Sequence, residues 1–186
     1  NRSHKTIRSG GSMSGKLTLI SSATASDSAS VVFTSGIDST YDEYVFYFVD
    51  IHAETLTADF EFQCSTNGGS SYGVELTSSI FMAYHQENDG GAALSYQTGF
   101  DEAQSTNFQL LMYYLDNAAD TASAGELHLF NPSSTSKAKH FYSTTSVHVA
   151  GPREDNNYIA GYFNTTSAIN AIKFKPSSGN FYGNIY

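Results

Sequence analysis

Single-residue alternation of apolar and polar side chains is the feature that most constrains the fold of this chain. The apolar side chains of Phe60, Phe62 and Cys64 alternate with the polar side chains of Glu61 and Gln63. Successive side chains of a β-strand point to opposite faces, so a period of two indicates a strand. This segment therefore predicts a strand with one face on a core and the other in water.

Similar runs recur along the chain, and turn residues such as Asn67-Gly68-Gly69 separate them. The 13 Tyr and 13 Phe residues are strand formers, and only 15% of residues are charged, a composition that favours strands and turns. The predicted strands span residues 16–21, 29–34, 43–51, 58–66, 72–85, 92–98, 107–115, 124–130, 138–148, 157–163, 168–175 and 181–186. The sequence thus predicts an all-β protein, an antiparallel β-sandwich of jelly-roll type.

Charge divides the chain into a predicted flexible basic arm, residues 1–15, and a single β-sandwich domain, residues 16–186. Residues 1–16 hold four basic residues and no acid, whereas the remainder holds five basic and all 18 acidic residues. The arm is expected to lie across an acidic neighbour, such as another copy of the chain, or to contact nothing. An acidic body predicts no nucleic-acid partner, and no apolar run approaches the roughly 20 residues of a membrane span.

Four local features of the sequence carry specific expectations. The segment from Tyr44 to Val49 is apolar on both faces, which predicts either a strand covered on both sides, the favoured reading, or a face packed on a partner subunit. Asn67-Gly68-Gly69 predicts a tight hairpin. Residues 101–104 are compatible with one helical turn. Cys64, which shares a face with Phe60, is expected to be a small buried hydrophobe.

Candidate chemical groups are sparse. His85, Glu87 and Asp89 could place three polar groups on one strand face, but residues 86–91 are typical of a hairpin end. His128 and Glu126 lie two residues apart and so share a face of the predicted strand. Such a pair can orient a general base. Because no nucleophile motif accompanies this pair, packing is the expected role.

Carboxylates give two further alternatives. Asp116, Asn117 and Asp120 lie close together as in a calcium loop, without the spacing, glycine and glutamate of an EF-hand. Glycoside hydrolases use paired carboxylates. Two pairs of consecutive acidic residues could serve in this way: Asp42 with Glu43, and Glu154 with Asp155. Solvated turns explain both pairs equally well. The sequence therefore supports no assignment of a catalytic, cofactor-binding or metal-binding residue, and no cofactor.

Residues 17–52, 125–146 and 160–186 carry a resemblance to a known group of proteins. The middle stretch reads GELHLFNPSSTSKAKHFYSTTS, and the last passes through a glycine-containing turn into a short final strand. Together they resemble small virion structural proteins of marine and cyanobacterial tailed bacteriophages, which are capsid-decoration or tail-fibre-like. The resemblance is one of fold and turns over most of residues 17–186, and it brings no catalytic residue.

The resemblance implies a non-enzymatic, external structural protein of a bacteriophage virion. It would decorate or cement the capsid, or form part of a tail or fibre, through protein–protein contacts. Its expected partners are other virion proteins and further copies of itself, with a trimer favoured by analogy. The alternative is a carbohydrate-binding module of a fibre that recognises a host surface glycan, since jelly rolls often bind saccharides. A hydrolase is the third and weakest hypothesis.

Overall fold

The computed structural model of the chain describes residues 17–186 as two antiparallel β-sheets packed face to face. The predicted arm, residues 1–15, lies outside these residues. The twelve strands are β1 Ala23–Ser28, β2 Val31–Phe33, β3 Glu43–Ala53, β4 Phe60–Ser65, β5 Leu76–Gln86, β6 Ala92–Tyr96, β7 Gln109–Met112, β8 Ser123–Phe130, β9 Lys139–His148, β10 Arg153–Phe163, β11 Ala171–Pro176 and β12 Phe181–Ile185. The predicted all-β antiparallel sandwich is confirmed.

The strands divide unequally between the sheets. The large sheet has eight strands in the order β1-β12-β3-β8-β9-β10-β5-β6, and the small sheet has four in the order β2-β11-β4-β7. Residues 17–186 contain no helix, and hence none that is long and apolar enough to cross a membrane.

Four antiparallel pairs are nested along the chain. Strand β1 pairs with β12, β2 with β11, β3 with β8, and β4 with β7. The remaining strands come from two excursions, β5-β6 between β4 and β7, and β9-β10 between β8 and β11. Both excursions extend the large sheet beyond β8. The large sheet therefore has twice as many strands as the small sheet that faces it.

Phenylalanine rings hold the two sheets together. Phe174 on β11 is fully buried and lies within 6.4 Å, centroid to centroid, of five other rings. These rings come from both sheets: Phe33, Phe46, Phe48, Phe60 and Phe62. Edge-to-face and offset arrangements of this kind stabilise aromatic pairs beyond the area they bury. The core of the sandwich is thus centred on the middle strand pair of the small sheet.

Cys64 is buried among these apolar side chains, as predicted. Burial raises the pKa of its thiol well above the usual value, because an apolar environment disfavours the thiolate. The expected exposure of Gln63 is wrong. The side chain of Gln63 is fully buried and donates from Nε2 to the carbonyl oxygens of Thr106 and Asn107. The loop before β7 therefore covers the face of β4 that the alternation assigned to water.

The first predicted strand, residues 16–21, is wrong over the residues that the structure describes. Strand β1 begins at Ala23, and the side chains of Leu17 and Leu19 are 71% and 69% exposed. The other eleven predicted strands are present, with ends that differ by at most four residues. A strand pattern without a pairing neighbour does not form a strand, because its backbone groups bond to water instead.

Two turn predictions are also wrong. Gly68 and Gly69 do adopt positive φ, 70° and 86°, but the turn joins β4 of the small sheet to β5 of the large sheet and forms no hairpin. Residues 101–104 form no helical turn. Their loop is extended against β5, where the Ser78 N–H donates to the Glu102 carbonyl oxygen at 2.9 Å. Tertiary pairing thus overrides the local preference of both segments.

Replacement of Phe174 by alanine tests the core. Because five rings would lose a neighbour and a cavity would remain, Phe174→Ala is expected to lower the free energy of unfolding by about 3–5 kcal/mol. Val32→Ala is the control, since Val32 lies on the adjacent strand and is 46% exposed; its expected cost is within about 0.5 kcal/mol. Urea unfolding measures both. Equal losses would contradict the assignment of Phe174 to the centre of the core.

Candidate functional site

The side of the large sheet that faces away from the small sheet, here called the outer face, is the most distinctive surface of the described chain. Along β9 and β10 the core-facing Phe141 and Ile159 alternate with the outward-facing Tyr142 and Tyr158. Tyr142 is 40% exposed and Tyr158 is 36% exposed. The expectation that the second face of β3 is covered within the chain is wrong, because Tyr47 also lies on the outer face and is partly exposed.

Aromatic side chains on the outer face stack in pairs across neighbouring strands. The pairs are His52 with Tyr182 (4.9 Å between centroids, 7° between planes), His128 with Tyr142 (4.4 Å, 14°) and Phe81 with Tyr158 (4.9 Å, 12°). These separations match the spacing of about 4.8 Å between strands. The rings therefore stand roughly perpendicular to the sheet. In each pair the two ring faces that are not stacked point away from each other, towards the next strand on either side.

A shallow depression of about 190 Å³, here called the tyrosine slot, lies between two of these pairs. Tyr142 on β9 has Ala160 as its neighbour on β10, and Tyr158 on β10 has Thr144 as its neighbour on β9. These small residues, with Ser79 on β5, line the slot and leave the ring faces of Tyr142 and Tyr158 open towards it. All the residues that line the slot are uncharged.

Acidic groups border Tyr142 on its other side. His128 Nδ1 lies 2.6 Å from Glu43 Oε1, and His128 Nε2 lies 3.3 Å from Glu126 Oε1. Burial first, and then the charges of Glu126, Glu43 and the Tyr47 phenol, raise the pKa of Tyr142. Its hydroxyl therefore stays protonated and can donate a hydrogen bond. The predicted Glu126–His128 pair does meet, with Glu43 as a partner that the sequence did not indicate.

A second surface, here called the edge groove, lies where the chain enters the sandwich. It is an apolar groove of about 250 Å³ lined by residues 17–21, 33, 35–37, 41 and 43–47 and by Tyr186. Tyr186 pairs with Tyr47 through two backbone hydrogen bonds of 3.0 Å. Phe33 of β2 lines the groove, and in the described part of the chain β1 and β2 each pair on one side only. Apolar side chains and free strand edges therefore occur together at this end of the molecule.

The residues predicted as possible metal or acid–base groups are engaged locally. His85 Nε2 lies 3.1 Å from Asp89 Oδ1, and both side chains are more than half exposed in the turn between β5 and β6, as expected for a hairpin end. The carboxylate of Asp116 accepts hydrogen bonds from the backbone N–H groups of Asn117 and Ala118. Within residues 17–186 no group of three or more His, Cys, Asp or Glu side chains is arranged to hold a metal ion.

The adjacent carboxylates Glu154 and Asp155 point to opposite faces of β10. Glu154 lies on the outer face and accepts a hydrogen bond of 2.8 Å from Ser146 Oγ, while Asp155 is fully buried on the core side. Two neighbouring residues in a strand cannot act on one substrate atom, because the pleat separates their side chains. For this pair the reading as paired catalytic carboxylates is therefore wrong.

Arg153 and Asp155 form an ion pair that the sequence analysis did not predict. Arg153 Nε and Nη2 lie 2.6 Å from Asp155 Oδ1 and Oδ2, and the guanidinium also sits 4.8 Å from the ring centroid of Tyr84. Burial raises the pKa of Asp155, and the hydrogen bond and charge of Arg153 act against that rise. The spacing of two residues on one strand is the sequence signal that could have indicated this pair.

Comparison with family models, curated proteins and solved structures finds no match to this chain. The surfaces described above therefore carry the functional argument, together with the resemblance in the sequence.

Removal of the Arg153 guanidinium tests the buried ion pair. Arg153→Met is expected to lower the free energy of unfolding at pH 7 by about 2 kcal/mol, less than for a fully buried pair because the Arg153 side chain is 30% exposed. The pKa of Asp155 is raised in the folded protein. Its contribution to stability therefore falls as the pH rises from the unfolded pKa through the folded pKa. The deficit is therefore expected to be smaller at pH 5 than at pH 7, because Asp155 takes up a proton more readily without the guanidinium than in the wild type.

Urea unfolding at both pH values measures this change. Adding Asp155→Asn to the Arg153→Met variant is the control, and it is expected to recover part of the loss by removing the unpaired charge. A deficit that is the same at both pH values would contradict an energetic role for the pair.

Proposed function

We propose that this chain is an external structural protein of a bacteriophage virion, a capsid decoration or cement protein or a component of a tail or fibre. It would act through protein–protein contacts. The observation that carries this proposal is the edge groove, where exposed Leu17, Leu19 and Tyr186 adjoin the edge strands of both sheets. The resemblance to virion structural proteins supplies the biological setting.

A second copy of the chain is the partner that the edge groove favours. Contiguous exposed apolar surface is typical of sites of association, and an unpaired strand edge offers backbone groups to a neighbouring chain. Strand β1 is such an edge strand, and it begins at Ala23, shortly after Leu19 in the chain. Symmetric homo-oligomers are the commonest assemblies of this kind, and the analogy with virion proteins favours a trimer on the exterior of the particle.

The nested strand pairs support a jelly-roll interpretation of the sandwich. In a jelly roll eight strands fold as two Greek keys, and β1-β12-β3-β8 facing β2-β11-β4-β7 would be its two sheets. The hairpins β5-β6 and β9-β10 would then be insertions that widen one sheet. Such a body keeps its shape through core packing, with its one cysteine buried as a free thiol.

A non-catalytic role agrees with the use of the ionisable groups. In the described part of the chain Glu43 and Glu126 contact His128, and Asp155 contacts Arg153. These contacts hold strands and side chains in place. The Glu154–Asp155 pair, one of the two from which a hydrolase was considered, has its side chains on opposite faces of β10.

Carbohydrate binding is the second candidate function, and the outer face favours it. Exposed tyrosine rings there offer flat apolar surfaces with a polar tip, the kind of group that is enriched at binding faces. A module of this kind on a fibre would contact a host surface glycan. The tyrosine slot of the outer face and the edge groove share no lining residue, so the two proposals are compatible.

Introducing a charge into the edge groove tests the first proposal. Leu19→Asp is expected to leave the isolated chain folded, because Leu19 is exposed, and to weaken self-association about tenfold or more, because assembly would bury the carboxylate. Analytical ultracentrifugation and incorporation into particles are the measurements. Leu94→Asp is the matched control, at 68% exposure on β6 at the far edge of the sheet. Assembly of Leu19→Asp at the wild-type level would remove the groove from the proposal.

Deletion of residues 1–15 tests the role of the basic arm. The shortened chain is expected to fold with an unchanged unfolding midpoint, since the core of the sandwich is formed by later residues. Its incorporation into particles or oligomers is expected to fall, because Arg2, Lys5 and Arg8 would no longer attract an acidic neighbour. Unchanged incorporation, measured against the full chain in the same preparation, would show that the arm takes no part.

A further inference from the structure

The tyrosine slot is shaped by residues from three strands. Tyr158 is stacked on Phe81 on one side and Tyr142 on His128 on the other. Each stacked partner fixes its tyrosine upright and leaves one ring face free. Both free faces line the same depression, whose floor is made by Ser79, Thr144 and Ala160. The slot is therefore built of pre-positioned rings around a gap.

The width of that gap follows from the register. Tyr142 lies two residues before Thr144, the direct neighbour of Tyr158, so the two tyrosines are diagonal neighbours on adjacent strands. Because each tyrosine is stacked on a ring across the strands, both tyrosine rings face the direction that crosses the strands. Their planes are therefore offset by one strand spacing of about 4.8 Å and are displaced by two residues along the strands, which leaves too little room for a ring stacked between them. A ring in the slot lies on the free face of one tyrosine and beside the edge of the other.

We propose that the tyrosine slot binds a neutral saccharide and holds one pyranose ring against Tyr142 and Tyr158, stacked on the free face of one ring and beside the edge of the other. The inference rests on the carbohydrate-binding candidate function and assigns its site. The apolar C–H face of the sugar packs on a tyrosine ring, and the sugar hydroxyls bond to the phenols and to the hydroxyls of Ser79 and Thr144. The slot supplies both kinds of contact side by side.

The charges of the outer face determine the class of saccharide. Among residues 17–186 no charged side chain lines the slot, and Glu126 Oε1 lies 3.3 Å from Nε2 of His128, the ring that stacks on Tyr142. Glu154 is a second carboxylate on the same face and accepts a hydrogen bond from Ser146. Sulfated, sialylated and uronic acid sugars would be repelled by these carboxylates, and no lysine or arginine among the described lining residues would pair with them. A neutral sugar would not be repelled by the carboxylates and would not need a cation as a partner.

The size of the slot favours a sugar over a protein partner. The slot is a shallow depression of about 190 Å³, smaller than the pockets of about 300–1,000 Å³ that enclose drug-sized ligands. A stable protein interface buries roughly 800 Å² on each partner, so a protein would have to cover much of the outer face besides the slot. The slot by itself fits a ligand that binds through one ring.

Two variants of opposite kind test the site. Ala160→Phe fills the slot at an exposed position and removes no ring, whereas Tyr158→Ala removes one wall. Each is expected to weaken saccharide binding about tenfold or more, because the stacked contact is lost. Tyr158→Phe keeps the ring and is expected to bind within a few-fold of the wild type. Tyr182→Ala, in the stacked pair with His52 away from the slot, is the matched control and is expected to bind as the wild type does.

The probe is a printed array of neutral and acidic oligosaccharides, followed by calorimetric titration of the wild type and the variants with the neutral oligosaccharide that gives the strongest signal. Thermal unfolding confirms that each variant is folded, and light scattering reports its oligomeric state. Binding of a neutral oligosaccharide that Ala160→Phe and Tyr158→Ala lose and Tyr182→Ala keeps would support the site.

The contrary outcomes separate the site from the function. Neutral binding that Ala160→Phe retains in full would overturn the slot and leave carbohydrate binding intact at another surface. Binding of acidic oligosaccharides alone would overturn the neutral class. No binding of any oligosaccharide by the wild type would overturn both the site and the carbohydrate-binding candidate, while assembly through the edge groove would stand. A change of oligomeric state in Ala160→Phe alone would instead identify a second copy as the occupant.

Discussion

Aromatic packing between the two sheets is the interaction on which the rest of the structure depends. Phe174 lies among rings from β2, β3 and β4, and so fixes the small sheet against one half of the large sheet. Burying these rings supplies the hydrophobic free energy that a chain without disulfides needs. It also decides which face of β3 points inward, and thereby turns Val45, Tyr47 and the neighbouring strands' tyrosines outward.

The unequal width of the sheets gives the molecule its two exposed surfaces. Eight strands face four, so the large sheet extends beyond the small sheet as far as β6, whose residues are all exposed. The outer face is thereby enlarged, and tyrosines that would be ordinary strand residues in a narrower sheet become a paired aromatic array. At the opposite end β1 and β2 leave their edges free beside the edge groove. Binding and assembly can then be served by different parts of one rigid body.

Buried polar groups occur in both sheets of the sandwich. Gln63 on β4 of the small sheet and Asp155 on β10 of the large sheet are both fully buried. Each has partners: Gln63 bonds to backbone carbonyl groups of the loop before β7, and Asp155 bonds to Arg153. Buried polar groups are tolerated when their hydrogen bonds are made inside the protein. These contacts explain why alternation alone misjudged which side of β4 faces water.

The sequence by itself determined the elements that depend on near neighbours. The period of two located eleven strands, placed Phe60, Phe62 and Cys64 on the core, and brought Glu126 and His128 to one face, because the pleat of a strand is a local property. Only the tertiary structure decided which strands are neighbours. It left residues 17–22 without a partner strand, took the turn at Gly68 from one sheet to the other, and set Tyr142 diagonally across from Tyr158. Register and order between strands depend on how the two sheets pack together, and that packing involves residues far apart in the chain.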